Sequence, residues 1–146
     1  MASGLAVWLA IPARSLPVLG AVPPFTLVER SGRPLSAADP VRLVSFSVDP
    51  THDTPEVLED YARRAGAGDG WLFVTGAREA VAALLRDGFK VAWADDGPPA
   101  SPITHSDRFV LVDRALRIRG YYHGTQPDDV ARLARDAIAL SDGKGS

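Results

Sequence analysis

Three histidines and a set of carboxylates are the residues of this chain best suited to chemistry. His52 stands between Asp49 and Asp53, and an imidazole with two carboxylates is a donor set that a divalent metal accepts. The same residues also read as a turn and a helix cap. Asp49-Pro50 stops a strand, Asp53 or Thr54 caps the helix that follows, and Pro55 sits at its first position. The turn reading is preferred. His105, Ser106 and Asp107 are neighbours in sequence and so do not make a Ser–His–Asp triad by themselves, because triads are assembled in space. Asp95 and Asp96 precede Gly97-Pro98 and read as a solvated turn. His123, followed by Gly124, closes a strand and reads as a surface residue. There is no cysteine, so disulfides, thiolate nucleophiles and thiolate metal sites are excluded.

The elements that would position these residues alternate in type. Val44, Phe46 and Val48 alternate with Ser45 and Ser47, which predicts a strand over 42–48. The capped segment from Pro55 to Ala65 carries Val57, Leu58, Tyr61 and Ala62 on one face, a helical spacing. Trp71-Leu-Phe-Val74 is the continuous apolar run of a buried strand. A helix is expected from Thr75-Gly76 to about Asp87, and a strand over 89–93. Asp107–Asp113 and Leu116–Tyr122 predict a hairpin, with Leu116 and Ile118 inward and Arg117 and Arg119 outward. Thr125-Gln-Pro-Asp128 resembles a capping box. The last helix then has Val130, Leu133, Ala134, Ala137 and Ile138 as its apolar stripe. Near the N-terminus, Phe25–Glu29 and Arg33–Ser36 flank Ser31-Gly32 as a small hairpin. Strands alternating with helices mean an α/β fold.

Length and charge narrow the field. A chain of 146 residues is one domain with room for a normal core. Net charge is −2, and no stretch interleaves basic and aromatic residues, so nucleic acid is not an expected partner. Gly66, Gly68 and Gly70 follow a helix, where a phosphate-binding loop would follow a strand. Leu5–Ile11 is apolar but far shorter than the roughly 20 residues that span a bilayer.

Ser47-Val-Asp-Pro-Thr-His-Asp-Thr-Pro55 resembles the S-V-D-P-x-x-D-T-P signature of the Sco/SenC proteins, thioredoxin-fold copper chaperones of cytochrome c oxidase assembly. The resemblance runs on through Leu58–Tyr61, Trp71–Gly76, Phe89–Val91, Thr104-His-Ser106 and Phe109–Asp113. It reaches back through Gly32–Ser36 and Pro24–Leu27 to Leu16–Gly20. In that family a strand, a C-x-x-x-C loop with two copper-binding thiols and a helix fall in the junction that here is only Ser36 to Val41. The expected fold is therefore α/β and thioredoxin-like, with a central strand and its following helix deleted or replaced. Residues 1–15 read as an N-terminal extension, a remnant of an anchor or export signal. Residues 16–140 read as the Sco/SenC-like domain and 141–146 as a frayed tail.

The resemblance implies that His105 is the sole surviving copper ligand. With both thiolates gone, copper binding is expected to be weak or absent, and no thiol–disulfide or peroxidase enzyme activity is expected. It further implies cytochrome c oxidase assembly components as partners and a membrane-associated place in the cell envelope, facing the periplasm or outside. The alternative function is a non-redox thioredoxin-like interaction domain or a relic. The slot left by the missing strand has three candidate solutions. These are the Leu5–Ile11 run, direct closure of the Arg42–Val48 and Phe109–Val112 strands, or a dimer formed through the open sheet edge.

Overall fold

Residues 15–23, 28–29, 42–94, 104–105 and 107–143 are described by the computed structural model. Along the chain come β1 (Gly20–Ala21), β2 (Val28–Glu29), β3 (Leu43–Phe46), α1 (Pro55–Arg64) and β4 (Trp71–Thr75). Then follow α2 (Arg78–Ala83), which runs into a π-helical turn over Leu84–Gly88, β5 (Trp93–Ala94) and β6 (Thr104–His105). Last are β7 (Arg108–Val112), β8 (Arg117–His123) and α3 (Pro127–Ser141).

The β3–α1–β4 unit forms as its sequence demands. Thr54 is the N-cap and accepts from the Val57 amide at 3.4 Å, and Pro55 opens the helix. Leu43 pairs in parallel with Trp71 and Phe46 with Val74. On one side of this pair, Leu58 and Ala62 of α1 pack on Phe73, with Trp71 alongside. Val28–Glu29 runs antiparallel to β4 on its other edge, giving the order β2-β4-β3. The proposed hairpin partner of that segment, 33–36, lies outside the described residues.

A second sheet has the order β1-β8-β7 and is antiparallel throughout. A strand at Gly20–Ala21 was not apparent in the proline-rich sequence around it. Val22, Leu84, Phe89 and Ile118 form the main core, joined by Val110, Val112 and Tyr121. Phe46 of β3 enters the same cluster, its ring 5.2 Å from that of Phe89. The two sheets thus share one core through side chains. Among the described residues no ladder joins β3 to β7, so direct closure of those two strands does not occur. The Leu5–Ile11 run lies outside the described residues. Between Glu29 and Arg42 the chain has only residues 30–41, whereas a strand, a helix and a return strand take about 30 residues. That is the segment in which the missing central strand and helix would have to fit.

Five local expectations need correction, the first being Leu116, which does not point inward but precedes β8 with a positive φ of 57° and is 41% exposed. Residues 89–92 are not a strand: Phe89 turns into the core, and Lys90 has a positive φ of 57° that breaks the extended run. Arg119 does not face out. The ladder matches Leu111 with Gly120 but Val112 with Ile118, so Arg119 is the extra residue of a β-bulge and is only 3% exposed. Thr125 makes no capping box. The N-cap of α3 is Gln126, without a side-chain cap, and the Thr125 hydroxyl donates to Asp107 Oδ2 at 2.7 Å instead. The apolar stripe of α3 is not buried either, with Val130 39% and Ile138 59% exposed. Among the described elements α3 lies chiefly on β8, held by Tyr122, whose hydroxyl donates to Asp136 Oδ2 at 2.8 Å.

Candidate functional site

The end of β3 and the start of α1 bring three of the singled-out residues together. Ser47 is buried, accepts from the Asp49 amide at 3.1 Å and donates to Asp53 Oδ2 at 2.7 Å. The other oxygen of Asp53 meets His52 Nδ1 at 2.9 Å. Backbone bonds from the His52 and Asp53 amides to the Asp49 carbonyl close the turn, at 3.1 and 2.8 Å. Asp53 is therefore not the helix cap but the link between a buried hydroxyl and an exposed imidazole. Its hydrogen bond, and then its charge, raise the His52 pKa above the ordinary 6.5. Asp49 contributes its backbone to the turn and a smaller electrostatic pull on His52.

A second cluster sits where β7 begins and β8 ends. His123 Nδ1 lies 3.2 Å from Asp107 Oδ1, and Thr125 bonds the other oxygen. The Gly124 amide donates to the Asp107 carbonyl at 2.7 Å. The hydrogen bond from Thr125 is the main reason the Asp107 carboxyl titrates below its ordinary 3.8. His123 is thus a tie between strands and not a free surface residue.

His105 lies on β6, which pairs antiparallel with β5 so that His105 stands opposite Trp93. Asp95 and Asp96, which come between these two strands in the sequence, fall outside the described residues. Among the described residues no three His, Cys, Asp or Glu side chains are grouped as metal ligands would be. Among them also, no helix is long and apolar enough to cross a membrane.

Sequence reading missed a cleft of about 350 Å³ between α1 and β3–β4, lined by Ser45, Ser47, His52, Asp53, Tyr61, Arg64 and Trp71 among others. Its signal was present in the alternation that runs through β3 and one residue past it, where Ser45 and Ser47 stand two apart and both line the cleft.

A model of the SCO1/SenC family matches residues 27–139. The chain belongs to the SCO1/SenC family. No protein of curated function matches it in sequence. Solved structures of the family share its thioredoxin-like fold. A SCO1/SenC family lipoprotein from Bacillus anthracis str. Ames is 20% identical with a TM-score of 0.73, over 86% of this chain and 97% of that one. BsSco, a member of the Sco family of cytochrome c oxidase assembly proteins with a disulfide switch, is 20% identical with a TM-score of 0.73, over 88% and 98%. Copper-bound ScoI from Arabidopsis thaliana is 15% identical with a TM-score of 0.64, over 84% and 99%.

The donor set of this SCO1/SenC chain does not fit a tight Cu(I) site. Cu(I) is selected by thiolate and thioether sulfur with imidazole support, and the chain has no cysteine and a single methionine.

Proposed function

We propose that this SCO1/SenC protein serves cytochrome c oxidase assembly through protein contact, with custody of copper lost or reduced to weak binding at His105. Family membership, and BsSco as a member of the Sco family of cytochrome c oxidase assembly proteins, support the assembly role. The observation that carries the rest is the absence of cysteine from a chain that otherwise spans 97% of a family relative. A thiol–disulfide activity or a peroxidase activity of the thiol-dependent kind is not expected, since both need a sulfur nucleophile. The proposed setting is the cell envelope, in keeping with the lipoprotein among its structural relatives.

The test is genetic. Deleting the gene in its host should lower cytochrome c oxidase activity, and both the parent gene and a His105→Ala version should restore it. Loss of rescue by His105→Ala would return copper handling to this chain. Unchanged oxidase activity on deletion would favour the second reading, a non-redox interaction domain with another partner. The exposed stripe of α3, Val130 and Ile138, is the observation behind that reading.

A further inference from the structure

The cleft beside α1 has an aromatic wall. Trp71 stacks on Phe73 with centroids 5.0 Å apart, and Tyr61 meets Phe73 edge-on at 5.6 Å. Trp71 is fixed in place by its indole N–H, which donates to Ser45 Oγ at 3.0 Å. Flat rings prefer such walls, in offset or edge contact.

The cleft carries charge of both signs, Asp53 with His52 beside the start of α1 and Arg64 at its end. Arg64 lines it and pairs with no carboxylate among the described residues. A cation in the last helical turn offsets the helix dipole. Arg63 already does that, and it pairs with Asp60. His52 and Asp53 are bonded to each other, with Ser47 holding Asp53 from behind, and lie before the first turn of α1, about 15 Å of helix away from Arg64. A guanidinium without a carboxylate partner suits the acid group of a ligand. A volume of about 350 Å³ is at the small end of ligand sites, which admits one or two rings.

We propose that this cleft binds a small aromatic carboxylate, its ring against Trp71 and Tyr61 and its acid group on Arg64. The site is independent of the assembly role and shares no residue with the copper question.

Titration of the ¹⁵N-labelled full chain with phenylacetate tests it, read on the Trp71 indole N–H and the α1 amides. The shifts should saturate with a Kd on the order of 1 mM, as fits so small a ligand. Arg64→Ala should weaken binding about tenfold, and neutral phenylacetamide should bind about tenfold more weakly than the acid. Arg132→Ala, on α3, should leave the titration unchanged. Shifts that do not saturate, equal binding of acid and amide, or an Arg64→Ala variant that binds like the parent would each overturn the proposal.

Discussion

Arg119 Nη1 donates to Asp113 Oδ2 at 2.8 Å, with the Arg119 side chain almost wholly buried. The same guanidinium donates to the carbonyls of Pro17 and Leu16, at 3.1 and 2.5 Å, and so fastens the N-terminal segment to β8. Asp113 in turn accepts from the Ala115 and Arg117 amides and from Arg117 Nε, at 2.9, 3.0 and 2.8 Å. One carboxylate thereby closes the β7–β8 turn and neutralises the charge that the bulge turns inward.

Removing either partner strands the other in a dry place. Arg119→Ala or Asp113→Ala should each cost roughly 3 kcal/mol or more, read from urea midpoints. The double variant should cost less than the sum of the two. Burial pushes the Asp113 carboxyl up, but the bonds from Arg119 and Arg117 outweigh it and hold it below the ordinary 3.8. A depressed folded pKa gives stability that is complete above the unfolded value and is lost as pH falls through the folded one. The difference between parent and Asp113→Asn should therefore be constant at neutral pH and shrink as the pH drops below 3.8.

Gly120 follows the bulge, and its missing side chain is a requirement of packing. A Cβ there would lie 2.7 Å from the Tyr122 ring, within one strand. Gly120→Ala should destabilise by about 1–3 kcal/mol, the usual cost of overpacking. Thermal unfolding measures it. Gly68→Ala, where nothing lies within 4 Å, is the control expected to change little.

The His52–Asp53 pair predicts a shifted titration. His52 should titrate above 6.5 by NMR, and Asp53→Asn should bring it back toward that value. A raised folded pKa stabilises below the unfolded value and is lost as pH rises through the folded one. Because His52 is fully exposed, the parent's urea midpoint should barely move across that range, while the imidazole resonance moves clearly.

How far the sequence speaks depends on whether local or distant groups decide. The β3–α1–β4 unit was legible because its pattern, cap and proline agree at short range. The hairpin was legible too, but not its bulge. Nothing near Arg119 in the sequence reveals that carbonyls of Leu16 and Pro17, a hundred residues away, accept its protons. Phe89–Ala92 looked like a strand because periodicity cannot show that Lys90 takes a left-handed turn. At the site, the Asp53–His52–Thr54 turn was readable residue by residue. The cleft behind it was not, because Trp71 and Ser45 meet across strands from 26 positions apart. The apolar stripe of α3 was visible, but its exposure was not, since burial depends on what lies opposite.

The central claim is that a SCO1/SenC fold persists here without a tight copper site. A Cu(I) competition titration against a chromophoric chelator, under reducing conditions, addresses it directly. The chelator should keep essentially all of the metal, because one imidazole without thiolates cannot compete with it. Retention of one Cu(I) per chain against the chelator, abolished by His105→Ala, would contradict the claim.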